Sequence, residues 1–168
     1  MADRRLGVGL IGAGFIGQFH IRSFVGVRDA DITGIFDVDT QTAERAAVMA
    51  RKLKVGEPTI HNSITELVAD PAVDAVWINT PNFTRLEVMQ EIVDAVTSGK
   101  GKLVGVCCEK PLGRNVAEAR MMLELVGEAD LLDGYLEDQL FSPSVQRAKT
   151  IVWVRGAALT GRPYLARS

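Results

Sequence analysis

The chain has 168 residues, of which 47% are hydrophobic and 24% charged, and 19 basic against 21 acidic side chains leave a formal net charge of −2. This is the balance of an ordinary globular protein. With no block of like charge beyond "DRR" near the start and "RKLK" at 51–54, a nucleic-acid or anionic-membrane surface is argued against as the main partner.

The amino end, "MADRRLGVGLIGAGFIG", sets basic residues before an apolar stretch, as a signal peptide does. No small-residue cleavage site follows and the stretch runs directly into Gln18, His20 and Arg22, so it reads as a mature strand, loop and helix. No segment approaches the ~20 apolar residues of a membrane span. The first strand is expected at 6–11 ("LGVGLI") and the second at 31–36 ("DITGIF"), with helical spacing in "FIGQFHIRSFV" between them. From Thr40, "TQTAERAAVMARKL" is an Ala-rich helix with Asp39 or Thr40 as its cap. A short strand near Thr59 and Ile60 precedes a small helix, "SITELVAD".

"VDAVWIN" at 73–79 is the clearest buried strand. After the loop "TPNFTR", residues Met89, Ile92, Val93 and Val96 fall on one helical face. "KLVGVCC" is the next strand, and Asn115 with Glu118 has the spacing of a capping box opening a helix whose apolar face is Ala119, Met122, Leu123 and Val126. "LLDGYL" reads as a further strand. "SPSVQRAKTIVWV" starts a helix with a Ser cap and Pro in the first position, and "LTGRPYLARS" reads as a turn entering a strand. Strands alternating with helices predict an α/β chain with a Rossmann-type, doubly wound parallel sheet. Adjacent Cys107 and Cys108 point to opposite faces of their strand, so neither a disulfide nor a metal pair is expected, and a reducing, cytoplasmic setting is the default.

Four stretches carry chemistry. The first is Gly12-Ala13-Gly14-Phe15-Ile16-Gly17, a GxGxxG between a strand and a helix. In that context Gly12 makes the tight turn, Gly14 lets the backbone approach a pyrophosphate, Gly17 permits close helix-to-strand packing, and the helix start offers N–H groups to the anion. Second, Asp37 ends the next strand, 25 residues after Gly12. A carboxylate there accepts from ribose hydroxyls and repels a 2′-phosphate, which favours NAD over NADP. Asp39 either shares that role or caps the next helix, and Arg45 is expected to face solvent from within that helix. Third, "NTPNF" follows a strand at the edge where ligands bind, so Thr80 and Asn82 either contact the cofactor or only start the next helix. Fourth, Glu109 and Lys110 in "EKPLG" end a strand on the same edge. A lysine at position 110 can donate to a substrate oxygen or sit near the nicotinamide, and Glu109 can hold the lysine or contact the nicotinamide ribose; without further context the plainer alternative, a strand end surfacing into water, is favoured.

Together, "VGLIGAGFIGQFH", "FDVD", "VDAVWINTPN", "EKPLG" and "GYLEDQLFSP" resemble, in order and spacing, the glucose-fructose oxidoreductase, inositol dehydrogenase and MocA-like family of nicotinamide-dependent oxidoreductases. The resemblance runs over nearly the whole chain. It implies a catalytic Lys110 beside the nicotinamide, cofactor contacts from Gly12, Gly14, Phe15, Ile16, Gly17, Asp37, Thr80, Asn82 and Glu109, and substrate-side positions at Tyr135 and Gln139. A cis peptide bond is expected at Lys110–Pro111, from the sharp reversal that the motif needs.

The resemblance also implies an NAD-binding domain over 1–134, then a crossover helix and the start of an α+β domain over 135–168, where the family keeps an Asp and a His of its catalytic set. The expected activity is hydride transfer between NAD and a secondary alcohol of a sugar or polyol, with a homo-oligomer in the full-length form; the alternative is a non-catalytic NAD(H)-binding sensor or scaffold. Family members often carry a His where this chain has Arg85, which is therefore expected on the helix surface. His20 is expected simply to pack beside the glycine loop. Trp77 and Trp153 are expected in core or interdomain packing, and Leu140, Phe141 and Leu159 are expected to be uncovered and to promote association.

Overall fold

The computed structural model describes residues 5–156 and 161. Two compact units divide the chain, Met1–Leu136 and Glu137–Ser168.

The first unit is a six-stranded sheet, β1 (Leu6–Ile11), β2 (Ala30–Phe36), β3 (Thr59–Ile60), β4 (Ala75–Ile78), β5 (Gly105–Glu109) and β6 (Leu132–Leu136), in the order β3-β2-β1-β4-β5-β6. All neighbouring strands are parallel. The helices are α1 (Phe15–Ser23), α2 (Thr40–Leu53), α3 (Ile64–Ala69), α4 (Arg85–Thr97) and α5 (Val116–Glu128). Parallel strands joined by helices need cover on both faces, and alternate residues supply it. Leu10 and Trp77 join Ile21, Phe24 and the alanines 43, 46, 47 and 50 on the side of α1 and α2. Their strand neighbours Ile11, Val76 and Ile78 join Leu67, Met89, Ile92 and Met122 on the side of α3, α4 and α5. The Ala-rich face of α2 thus lets that helix lie close on the sheet.

Caps set the helix starts as the sequence implies. Asp39 accepts from Gln41 N at 3.2 Å and from Thr42 Oγ1 at 2.5 Å, and these bonds hold its carboxyl below the usual range. Ser63 caps α3 through Glu66 N at 3.0 Å, and Asn115 caps α5 through Glu118 N at 3.0 Å. Arg45 is exposed, donating to Thr42 Oγ1.

Several expectations need correction. On α5, Met122 and Val126 are buried but Leu123 is exposed, and Leu125 packs inward in its place. The strand expected from Lys102 begins only at Gly105.

The second unit holds a 3-10 turn (Asp138–Phe141) and α6 (Pro143–Lys149), which runs on as a wider π-helical segment (Thr150–Gly156). Pro143 stands in the first turn as expected, but Ser142 Oγ pairs with Ser144 Oγ at 2.8 Å and makes no side-chain cap bond. The unit has no buried residue among those described, so Trp153 is half exposed and in no core cluster, while Leu140 and Phe141 are exposed as expected. Leu159 and all of "LTGRPYLARS" but Gly161 lie outside the described residues. Among the described residues, no helix is long and apolar enough to cross a membrane.

Candidate functional site

Strand order reverses direction at β1, whose chain neighbour β2 lies on one side and β4 on the other. Their carboxyl ends therefore diverge into separate loops, and a crevice opens between them. It has a volume of about 390 Å3 and is lined by Gly12, Gly14, Phe15, Ile16, Phe36, Asp37, Val38, Asn79, Thr80, Pro81 and Arg85.

The glycine loop forms one wall. Gly12 has φ +93°, a conformation that L side chains rarely adopt, and its N–H donates to Phe36 O at 2.8 Å. A Cβ on Gly17 would stand 2.4 Å from Gly12 O, so only glycine lets α1 press against the loop this closely. A Cβ on Gly14 would meet nothing within 4 Å. Gly14 is also the N-cap residue of α1 and supplies no side-chain cap, so the first N–H groups of that helix are open to an anion. Phe15 is 80% exposed at this start. Asp37 braces the loop from below, its Oδ2 accepting from Ala13 N at 2.7 Å and its Oδ1 from Asp39 N at 2.9 Å. A carboxylate has about four acceptor positions, so both bonds leave capacity for further donors.

The opposite wall is the loop after β4. Asn79 N donates to Ile11 O at 2.8 Å, which ties this loop to β1. Asn79 Oδ1 is buried with no hydrogen-bond partner, and its Nδ2 lies at the limiting distance of 3.5 Å from Gly12 O. Thr80 Oγ1 accepts from Thr84 Oγ1 at 2.9 Å, and Asn82 opens a 3-10 turn (Asn82–Thr84), half-buried outside the crevice lining. An anion-ready helix start, an open approach at Gly14, a carboxylate and an unpartnered buried acceptor in one crevice fit a dinucleotide.

Further polar contacts converge on the carboxyl end of β5 and the loop after it. Glu109 is buried at 7% exposure, and each of its carboxylate oxygens has a partner: Oε1 lies 2.7 Å from His20 Nε2, and Oε2 accepts from Lys110 N at 3.0 Å. A carboxylate offers acceptors only, so the imidazole N–H donates. Trp77 holds the His20 ring edge-on, with centroids 5.1 Å apart. His20 is thus a partner of Glu109 as well as a neighbour of the glycine loop. It stands three residues after Gly17, one helical turn on, so the packing glycine marked the face that His20 shares.

Lys110 itself is exposed, and the Lys110–Pro111 bond is cis.

Arg85 is not on the surface. It is 5% exposed, and its Nε donates to Thr80 O at 2.8 Å while Nη1 donates to Glu109 O at 2.5 Å and to Pro111 O. The reason is stoichiometric: a guanidinium has five N–H donors, and three backbone carbonyls converge on it. A cation at the first residue of a helix also opposes the helix dipole, a signal that something other than the helix holds it there.

Tyr135 lies elsewhere. It is half exposed on β6 and lines a separate apolar cavity of about 50 Å3 with Val106, Cys108 and Met122. Gln139 belongs to the second unit, where its amide donates to Asp138 Oδ1 at 3.2 Å. The Cys108 thiol is pushed up to about 11 by burial, and the Cys107 thiol is raised by burial and by Asp133.

A family model described as "Oxidoreductase family, NAD-binding Rossmann fold" matches residues 6–132. The chain belongs to this family. NAD is accordingly the cofactor of its Rossmann domain. A 1,5-anhydro-D-fructose reductase of Ensifer adhaerens is 31% identical over 159 residues, 95% of this chain and 43% of that protein. An inositol 2-dehydrogenase of Gluconacetobacter diazotrophicus is 34% identical over 120 residues, 71% of this chain and 32% of that protein. The crystal structure of an NAD binding oxidoreductase from Klebsiella pneumoniae matches with a TM-score of 0.70 at 31% identity, covering 92% of this chain and 40% of that one. GenD2 from gentamicin A biosynthesis, solved in complex with NAD, shares the fold with a TM-score of 0.76 at 23% identity over 94% of this chain and 41% of that one. The chain therefore spans less than half the length of the curated relatives it matches.

Proposed function

We propose that this chain is the cofactor-binding part of an oxidoreductase that moves hydride between NAD and a secondary alcohol of a sugar or polyol, with residues 1–134 as its NAD domain. The observation that carries the reading is the convergence of the glycine loop, Asp37 and the loop after β4 on one crevice, with the Glu109–Pro111 loop tied to its rim through Arg85. The relatives' names, an anhydrofructose reductase and an inositol dehydrogenase, support the substrate class.

When bound, the nicotinamide supplies the hydride acceptor or donor. The residues of this chain bind and orient it. Gly12, Gly14 and Gly17, with Phe15 and Ile16 at the helix start, hold the pyrophosphate on unpaired N–H groups. Asp37 accepts from the adenosine ribose and repels a 2′-phosphate, which gives NAD preference over NADP. Thr80 and Asn82 line or flank the nicotinamide half. Glu109, fixed by His20, presents its remaining acceptor capacity to the nicotinamide ribose. As an ammonium, Lys110 gives a proton to the substrate oxygen when the carbonyl is reduced; as a neutral amine, it takes the hydroxyl proton when the alcohol is oxidised. Tyr135 and Gln139 are proposed on the substrate side.

Calorimetric titration of the chain with NADH and, in parallel, NADPH tests this. Binding with NADH preferred is expected; a preference for NADPH, or no binding by a chain with a cooperative thermal melt, overturns it.

A further inference from the structure

We propose that Arg85 is the positioning residue for Lys110: by bonding the carbonyls on either side of that lysine, and the Thr80 carbonyl across from them, it sets where the lysine stands beside the cofactor crevice. The inference rests on the reading of Lys110 given above.

Arg85 donates to Glu109 O and Pro111 O, the residues immediately before and after Lys110. Two anchors one residue apart on each side leave the intervening Cα little freedom, although the Lys110 side chain is itself exposed. The third bond, from Nε to Thr80 O at 2.8 Å, refers those anchors to the loop that walls the crevice, and Arg85 itself lines that crevice. The three carbonyls come from the carboxyl ends of two different strands and the loops that follow them, so one rigid planar group measures the distance between them.

The guanidinium has no carboxylate within ion-pair distance among the described residues. A cation held only to fill space or balance charge would have an acid beside it; this one is spent on backbone carbonyls. Lysine cannot take its place, because an ammonium lacks the planar fork that spans separate acceptors.

The experiment uses the 168-residue chain with 13Cε-lysine and 15N labels, as wild type, Arg85→Met and Arg85→Lys, with Lys110→Arg to assign the Lys110 signal. Hydrogen exchange is read at the Lys110 amide and at the Val106 amide within β5. In Arg85→Met, Lys110 exchange should rise about ten-fold or more while Val106 exchange stays within about three-fold, since local opening is separable from global unfolding. The shift of the Lys110 ε signal on adding NADH should be lost. NADH affinity should fall less than about ten-fold, because the glycine loop and Asp37 are untouched.

Parallel acceleration at both amides, or wild-type behaviour at Lys110, overturns the proposal in favour of a merely structural arginine. Arg85→Lys is judged by the same two amides, so the test stands even if the methionine variant does not fold. A wild-type Lys110 ε signal that ignores NADH would instead sink the reading of Lys110, while the amides still decide the role of Arg85.

Discussion

Gly14 and Gly17 stand three residues apart in the same motif, one at the N-cap of α1 and one within that helix, yet the structure assigns them opposite sensitivities. In Gly17→Ala the new Cβ would stand 2.4 Å from Gly12 O, where ordinary contacts begin at 3.4 Å, so backbone must move by about 1 Å. Overpacking costs ~1–3 kcal/mol, and its upper end applies because the atom met is backbone and not a flexible side chain. Alanine in place of glycine within a helix returns up to ~1 kcal/mol. The net is a destabilisation of about 2 kcal/mol, or a melting temperature lower by roughly 4–8 °C for a chain of this size. In Gly14→Ala the Cβ meets nothing within 4 Å and φ is −68°, so stability should stay within about 1 kcal/mol of wild type. The methyl instead occupies the approach to the helix start, and NADH binding should weaken about ten-fold or more, at least 1.4 kcal/mol. Thermal melts and NADH titrations of both variants separate the two effects. A Gly17→Ala chain as stable as wild type, or a Gly14→Ala chain that binds NADH as well as wild type, would refute the division of labour in this loop.

Asp37→Ala should lower NADH affinity and reduce the NADH-over-NADPH preference about ten-fold or more, because it removes both the ribose acceptor and the Ala13 and Asp39 N–H partner; paired titrations with the two cofactors measure it. Glu118 accepts from Arg114 N at 2.8 Å and Arg114 Nε at 2.7 Å, and these bonds hold its carboxyl below the ordinary 4.5. A depressed carboxyl contributes stability above its unfolded pKa and loses it as pH falls through the folded one, so melting temperature should drop below pH 4.5 more steeply in wild type than in Glu118→Gln. With the Cys108 thiol near 11 and that of Cys107 also raised, neither cysteine should react with a disulfide reagent within minutes at about pH 8 in the folded chain, and both should react after denaturation; rapid labelling of Cys108 in the native state would contradict its burial.

What the sequence made legible was local. The strand runs, the caps at Asp39 and Asn115 and the glycine loop each depend on residues a few positions apart, and their physics is complete within that span. Assigning Leu123 to the inner face of α5 failed on angle. At about 100° per residue, Leu125 lies nearer than Leu123 to the direction shared by Met122, Val126 and Ala129. Arg85 failed for a different reason: two of its partners lie 24 and 26 residues away, and a side-chain bond to a backbone carbonyl leaves no pattern in the partner's residue type. The His20 contact with Glu109 went unread because it spans 89 residues. For Arg85 one signal did exist, a cation at a helix start.

The sheet order explains why a site can be built from such distant pieces. β4 lies between β1 and β5, so the loop after β4 meets the glycine loop on one side and the Lys110 loop on the other. Asn79 N closes the first junction on Ile11 O, and Arg85 closes the second through Thr80, Glu109 and Pro111. His20 then crosses from α1 directly to Glu109, completing a ring of polar contacts that starts on the strand before the glycine loop and ends on the helix after it. A crevice framed by strand ends alone could widen as the loops moved independently. Here each loop is referred to the next through a short hydrogen bond, so displacement of the Lys110 loop requires breaking contacts at both His20 and Arg85. The fold supplies the place of the site, and these two side chains supply its dimensions.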